Sequence, residues 1–597
     1  MTDPRGKERS RSRGLGEAET GQGRGPQRRI GVYVCHCGGN ISDYVDVASV
    51  IDAVKDEPGV SVARTAMFTC SDATQQEIVD DIRERSLDGM VVASCSPRLH
   101  TATFREVAKR AGLNPYEYTQ VNIREQCSWA HTDDRAGATA KAIRLVRAGI
   151  ARTRLSEPLE PVVVETVPRA LVVGGGVAGL RAALGLAEIG LEVFLIEREA
   201  ELGGRVGDLG AIYPHGADGR ALVARLERAV EERTEITVFR RAELVEKSGS
   251  FGNYEATIRV GADPGERIRV EVGSIIVTTG FDSYEPEAGE LGYGIEGVVT
   301  LPELERLLGE EGALAFNGKP VRSLAYVYCV GSRQPGGHEY CSRFCCTAAV
   351  HDSLRVAEKA PDVRQYHLYR DMRTYGKNEL LYTESRERGS LYLRFPDDEP
   401  PTVEKLEDGR LRVTVRDLLT EGEELAIEPD LLVLVTGMVP RQNEQLTGVL
   451  KLPLDKDGFF NEIHPKLRPV ETVVDGVLIA GACQSPKSAS ESVTSALAAV
   501  SQSAAMLKKG TAELDPLVAT VDAEMCSWCG KCEQACPFDA IGQLSLNGKQ
   551  VAAVEAAVCK GCGGCVPVCA EDAIDLQGYT DAQVRAMIDG LLQEVAS

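Results

Sequence analysis

From Ile30 onward, short apolar runs alternate with amphipathic stretches. The runs at 32–35, 67–70, 91–95 and 120–123 read as strands, the first three ending on a cysteine. Between them, around 45–54, 74–85 and 103–111, apolar residues recur at helical spacing. Strands that alternate with helices predict an open parallel sheet, and such sheets gather ligands beyond the carboxyl ends of their strands. Cys35, Cys70 and Cys95 are therefore expected to converge, with Cys127 near enough to the fourth strand to join them. Thiolates in a group suit an iron–sulfur cluster. Cys37 makes five where a cubane takes four, and burial as small hydrophobes is the alternative reading for all of them. A helical segment at 136–154 and a Pro-containing stretch at 157–168 set a boundary near 156.

The next pattern is an apolar strand, a glycine turn, an Ala-rich helix and a second strand ending in an acid, all within 169–197. Gly174, Gly176 and Gly179 allow the tight turn, the approach of a pyrophosphate and close helix–strand packing, with Gly175 inside the turn. The helix amino terminus faces the phosphates, and Glu197 falls where ribose hydroxyls are expected. A glycine fingerprint alone is a weak signal, but this context makes it a dinucleotide site. Gly203, Gly204 and Arg205, just after the acid, point to FAD rather than NAD. Two later strands close such a domain: Ile275-Ile-Val-Thr-Thr-Gly280, and Val477-Leu-Ile-Ala-Gly-Ala482 followed by a small-residue helix from Ser490. Gly481 and Ala482 stand where flavoproteins of this type usually carry Gly-Asp, so the usual Asp contact to the ribityl chain is missing.

Residues 300–424 occupy the slot of a nicotinamide-binding domain. A strand at 324–330 is present, yet Gly331-Ser-Arg-Gln-Pro-Gly-Gly337 is no nucleotide fingerprint. Cys329, Cys341, Cys345 and Cys346 fall within 18 residues instead, and are read as one cluster site rather than buried thiols or zinc. The last module is the most specific. Cys526, Cys529, Cys532 and Cys536 repeat as Cys559, Cys562, Cys565 and Cys569, each run followed by Asp-Ala-Ile. That spacing fits a two-cluster ferredoxin in which each fourth cysteine crosses over. Cys526, Cys529, Cys532 and Cys569 form one ligand set, and Cys559, Cys562, Cys565 and Cys536 the other.

The expected division is a disordered tail 1–29, an amino-terminal α/β iron–sulfur domain 30–155, and an FAD-binding domain in two parts, 156–299 and 425–512. A cysteine-bearing middle domain 300–424 interrupts the FAD domain; a ferredoxin domain 513–578 and a terminal helix 579–597 complete the chain. The fold class is α/β, with a thioredoxin-reductase-like FAD domain. Composition adds exclusions. A formal charge of -22 argues against nucleic acid, and no run reaches the roughly 18 apolar residues of a membrane span. The ligand-like cysteine spacings, the lack of an apolar signal region, and Glu8, Glu17 and Glu19 near the amino terminus favour a reducing cytoplasm.

With these motifs in place, the chain resembles the flavin-bearing, iron–sulfur A subunits of the CoB–CoM heterodisulfide reductase family over about residues 30–578. The resemblance rests on Val34-Cys-His-Cys-Gly38, Thr69-Cys-Ser-Asp72, Val92-Ala-Ser-Cys-Ser-Pro-Arg98 and Asn122-Ile-Arg-Glu-Gln-Cys-Ser-Trp129. It also rests on the fingerprint glycines, Cys329-Val-Gly-Ser-Arg333, Cys341-Ser-Arg-Phe-Cys-Cys346 and Gln484-Ser-Pro-Lys487. It implies an oxidoreductase with FAD, two [4Fe-4S] clusters in the ferredoxin domain and two more upstream, and flavin-based electron bifurcation or confurcation. It further implies a homodimer within a complex of other heterodisulfide-reductase-like subunits, a hydrogenase, formate or NADH dehydrogenase module, and ferredoxin. Many members carry a cysteine pair after Gly-Gly-Arg and then an inserted ferredoxin domain; residues 208–220 hold no cysteine here, so this is a short form. Lys487 is the one candidate for flavin tuning, as a donor to the reduced ring; a solvated lysine is the bland reading. A stand-alone pyridine nucleotide or disulfide oxidoreductase is the competing function, but it needs a second nucleotide site or a redox C-x-x-C beside the flavin.

Overall fold

The computed structural model describes residues 28–213, 216–262 and 264–593. The tail at 1–29 thus lies outside the described residues except for Arg28 and Arg29. Arg28 is anchored: its guanidinium donates to Asp88 O, Ser156 Oγ and Glu117 Oε1 at 3.0 Å each. The chain divides into two compact units, one running to Val162 and resuming at Asp515, the other from Val163 to Leu514.

The first unit opens with a four-stranded parallel sheet of β1 (Ile30–Cys35), β2 (Val60–Ala66), β3 (Gly89–Ser94) and β4 (Tyr118–Asn122), in the order β2-β1-β3-β4. Helices α1 (Val47–Val54), α2 (Asp72–Glu84), α3 (Pro97–Ala111) and α4 (Arg135–Arg154) cover it. Their ends follow local chemistry. Ser71 Oγ caps Thr74 N at the start of α2, and Pro97 opens α3, which Gly112 ends at φ 86°. Central strands β1 and β3 are buried along their whole length, whereas β2 is a half-exposed edge. The strand expected at 67–70 is instead the turn after β2. Met67 and Phe68 are 57% and 46% exposed, so their apolarity marks no core position.

The second unit holds two parallel five-stranded sheets. The first is built from β5 (Arg169–Val173), α5 (Val177–Glu188), β6 (Glu192–Glu197), α6 (Gly219–Glu231), β7 (Ile236–Arg240) and β8 (Ser274–Val277). The second comprises β9 (Val298–Thr300), α7 (Leu301–Gly309), β10 (Ser323–Val330), α8 (Cys345–Lys359), β11 (Arg364–Tyr369), β12 (Leu391–Arg394) and β13 (Leu431–Thr436). The chain then returns to the first sheet with β14 (Val477–Ile479) and α9 (Ala489–Leu507). The orders are β14-β8-β5-β6-β7 and β9-β13-β10-β11-β12. β13 corrects the division at 424: Leu431–Thr436 pairs with β10 and β9 in the middle sheet. A run of six buried residues, five of them apolar, reads alike in either sheet, and only strand pairing decides between them.

Beyond Asp515 the first unit is completed by a small module with a hairpin, Ile541–Leu546 and Lys549–Val554, and an antiparallel pair, Ala519–Val521 with Ile574–Leu576. Its final helix, Asp581–Leu592, carries a capping box of Thr580 and Gln583. That helix packs on α4 so closely that a Cβ at Gly590 would stand 2.9 Å from Ala148 N. Arg152 of α4, only 6% exposed, donates to Gly578 O at 2.7 and 3.0 Å and to Thr119 Oγ1 at 2.8 Å. Its guanidinium lies 4.1 Å from the Tyr579 ring centroid.

Candidate functional site

The fingerprint glycines divide their tasks. Gly174 takes φ 109°, and a Cβ there would stand 2.6 Å from Thr278 O. A Cβ on Gly179 would meet Gly174 O at 1.8 Å, so α5 lies against the turn as only glycine permits. At Gly176 a Cβ would meet nothing within 4 Å, which leaves the amino terminus of α5 open to a phosphate. Thr278 holds the turn from the next strand, its hydroxyl donating to Val173 O and Gly174 O at 3.0 and 2.9 Å. Gly203 N donates to Gly175 O at 2.8 Å, which lays the Gly-Gly-Arg loop along the turn. Glu197 accepts from Gly175 N at 2.6 Å and Glu199 N at 2.8 Å.

These elements bound a cavity of about 1660 Å³. Gly174, Gly176, Glu197, Gly203, Gly204, Arg205, Gly280, Ala482 and Lys487 line it. Gly175, Gly179 and Gly481 stand behind the wall, and Gly481 takes φ 80° against Ala178. The residues suit a dinucleotide: the cradle at Gly176 is open, and Thr279 Oγ1 lines the cavity as a buried hydroxyl without a partner. Lys487 is half-buried, donating to Gln484 Oε1 at 2.7 Å and Gly481 O at 3.2 Å. Burial lowers its pKa, with Cys483, Glu462 and Glu491 acting against that shift. Sequence reasoning missed Asp282, which joins Arg205 and Arg441 at 3.0 and 3.1 Å on this wall. No motif marks such residues, because three separate segments meet there.

The middle sheet contributes a thiol group to the same wall. Cys345 and Cys346 open α8, and Cys345 lines the cavity. Cys329, next to last in β10, takes φ 65°. Burial and the neighbouring Cys346 raise its pKa, while Arg370 and Arg333 oppose them. Cys345 is raised by its hydrogen bond with Cys346 and by burial, then by Cys329 and Cys341, so the four thiols are neighbours. Ser332 Oγ and Thr347 Oγ1 are buried beside them without partners, free to donate to a cluster. A nicotinamide domain would need the amino terminus of α8 for phosphates; here it carries two cysteines.

In the first unit the structure gathers Cys35, Cys37, Cys70 and Cys95. Cys70 is raised by burial, then by Cys35 and Cys37. Cys95 is pushed up to about 11 by burial; Arg124 opposes this, and Cys37 and Cys35 add to it. Arg124 Nη1 lies 3.5 Å from Cys37 Sγ and its guanidinium covers the Trp129 ring. Cys127 is fully buried in the apolar core that also holds Cys35, and burial pushes its pKa up to about 11, with Lys141 opposing; the thiols that raise Cys70 and Cys95 are Cys35 and Cys37. Cys37 takes φ 54°, and its N–H donates to Cys35 Sγ at 3.2 Å, beside that thiol; spacing alone favours Cys127.

In the carboxyl-terminal module Cys532 lies beside Cys526 and Cys529, and Cys565 beside Cys559, Cys562 and Cys536. The fourth cysteine of the first run therefore sits in the second group, as a crossover requires. Cys526, Cys536 and Cys569 each accept from a backbone N–H at 3.3 Å, those of Ala552, Ala540 and Ala573. Among the described residues no three His, Cys, Asp or Glu side chains close around a single ion.

A family model described as an FAD binding domain matches residues 169–207, and one described as a 4Fe-4S binding domain matches 519–542. One iron–sulfur A subunit of CoB–CoM heterodisulfide reductase from Methanopyrus kandleri is 38% identical over 607 aligned residues, covering 88% of this chain and 92% of that protein. This chain belongs to the A-subunit family of the heterodisulfide reductases. It is an oxidoreductase with an FAD-binding domain and a [4Fe-4S] ferredoxin-type domain. A second relative, the A subunit of the H(2):CoB-CoM heterodisulfide,ferredoxin reductase of Methanothermobacter thermautotrophicus, is 36% identical, covering 86% of this chain and 90% of its own. Among solved structures, T. acidophilum thioredoxin reductase is 16% identical, covers 57% of this chain and 99% of its own, and has a TM-score of 0.39. No helix among the described residues is long and apolar enough to cross a membrane.

Proposed function

We propose that this chain is the electron-distributing component of a heterodisulfide-reductase-like complex, with one FAD in the large cavity and four [4Fe-4S] clusters. The observation that carries the reading is Cys345, a member of the middle thiol group that also lines the FAD cavity. When bound, FAD supplies two-electron exchange and each cluster one-electron exchange. The chain positions and tunes these groups rather than supplying an acid–base triad. Gly176 and the amino terminus of α5 receive the pyrophosphate, Glu197 the ribose, and Lys487 offers an ammonium to the flavin ring. Cys329, Cys341, Cys345 and Cys346 hold one cluster and Cys35, Cys37, Cys70 and Cys95 another; the two ferredoxin sets hold the remaining pair.

The relatives' names speak of hydrogen, formate and ferredoxin. By that likeness the partners here are other components of this complex, ferredoxin, and a hydrogenase, formate or NADH dehydrogenase module, and electron flow follows bifurcation or confurcation. Anaerobic quantitation tests the assignment: about four clusters and one FAD per chain are expected. Two clusters alone would refute both upstream ligand sets. Stepwise dithionite reduction that fills the clusters yet never bleaches the flavin would refute electron exchange between them.

A further inference from the structure

On the cavity wall formed by α7 and α8, Glu305 lines the cavity although only 7% of it is exposed. Behind it, Arg355 Nη1 bridges Glu305 Oε2 at 2.5 Å and Asp352 Oδ1 at 3.1 Å. Asp352 is fully buried, and its second oxygen, Oδ2, has no donor. Two carboxylates thus share one guanidinium, which leaves a net negative charge out of water if both are ionised. A proton held between the carboxyls removes that charge. Asp352 is accordingly raised well above the usual carboxylate range, by burial first and then by Glu305, with Arg355 opposing.

His351, adjacent on α8, is kept neutral by burial and by Arg355, and its Nδ1 lies 3.9 Å from Asp352 Oδ1 without a hydrogen bond. Glu358 adds negative charge from the same helix. Tyr326 of β10 and Tyr213 of the cavity loop lie within electrostatic reach of Asp352, their hydroxyls held in the protonated form by burial, and Tyr326 donates to Gln365 Oε1 at 3.0 Å. The loop also closes over Arg355: a Cβ on Gly210 would stand 3.2 Å from Arg355 Nη2.

We infer that Glu305 and Asp352 form a proton store for the FAD cavity, releasing one proton through Glu305 when the flavin is reduced. This rests on FAD occupying the cavity. The step balances as FAD + 2 e⁻ + H⁺ → FADH⁻, with the electrons from a low-potential one-electron donor. The carboxyl O–H bond breaks, an N–H bond forms on the flavin, and Arg355 remains between two carboxylates until one takes a proton from solvent. A reduced-minus-oxidised infrared spectrum of the anaerobic holoprotein, with dithionite as reductant and visible absorbance recorded together, tests it. Bleaching accompanied by loss of a protonated-carboxyl band is expected, and that band should be absent from the difference spectrum of Asp352→Asn. Glu305→Gln should slow bleaching about 100-fold with FAD content retained. Bleaching with no carboxyl change in the wild type overturns the store alone; a cavity that binds no FAD overturns it together with the functional reading. The wild-type spectrum decides even if a variant fails to fold.

Discussion

Two glycines three residues apart are expected to fail in opposite ways when each becomes alanine. In Gly179→Ala the new methyl would lie 1.8 Å from Gly174 O and 2.8 Å from Thr278 Oγ1. Gly174 O belongs to the turn and Thr278 holds it, so α5 must move away by more than about 1.5 Å to reach an ordinary contact of 3.4–4 Å. Overpacking of this kind costs about 1–3 kcal/mol or more, and disturbing the Thr278 hydrogen bonds adds about 1 kcal/mol each. A loss of roughly 3 kcal/mol is a large share of a native stability of about 5–15 kcal/mol. Gly176→Ala differs: the backbone is extended at φ -70°, ψ -179°, and the methyl has open space. Its apoprotein stability should stay within about 0.5 kcal/mol. The methyl then occupies the path of the pyrophosphate, and FAD affinity should fall at least about tenfold, or about 1.4 kcal/mol. Urea unfolding of the apoproteins and FAD titration by fluorescence quenching separate the two effects. A wild-type urea midpoint in Gly179→Ala, or unchanged affinity in Gly176→Ala, would refute the division of tasks.

Other outcomes follow from single contacts. Cys95→Ala should cost one cluster's iron, whereas Cys127→Ala should keep it; anaerobic iron and sulfide assays on both variants decide which four thiols act together. His367 is fully buried between Tyr326 and Tyr392, with ring centroids 4.4 Å away on each side, and burial pushes its pKa down to about 3. The unfolded state takes up that proton near pH 6.5 while the folded state refuses it. Stability is therefore complete above about pH 6.5 and falls toward pH 3, by about 2 kcal/mol at pH 5. His367→Phe should flatten that part of the pH profile in denaturant unfolding; an equally steep profile would point to other groups. Arg152→Met removes the bonds to Gly578 O and the stacking on Tyr579, and should free the terminal helix at a cost of about 2–3 kcal/mol. Limited proteolysis should then cut after residue 578 sooner than in the wild type.

The parts of the site that are legible in sequence are those in which one short segment makes its own geometry. The turn from Gly174 to Gly179 must be glycine because its atoms collide with one another, and the ferredoxin cysteines announce themselves by spacing. Sites assembled from distant segments leave no such mark: Asp282 with Arg205 and Arg441, or Glu305 with Asp352 and Arg355, meet only after the sheets form. The edge strand β2 is hard to see in sequence because Val60–Ala66 alternates weakly, while Met67 and Phe68 supply a stronger apolar signal from an exposed turn. Choosing between Cys37 and Cys127 depends on which thiol acts on Cys70 and Cys95 in the folded sheet, which spacing does not encode.

The bond between α4 and Gly578 has a consequence for biosynthesis. The two halves of the first unit are separated by the whole of residues 163–514, some 350 residues. At about 5–20 residues per second, a ribosome needs roughly 20–70 s to span them. Throughout that interval Arg152 has been translated while its acceptor has not, and the face of α4 that later receives the last helix has no cover. The nascent amino-terminal half is thus a part of this chain for which a holding chaperone would matter, and a stop codon between the end of α4 at Arg154 and residue 578 would strand it in that state.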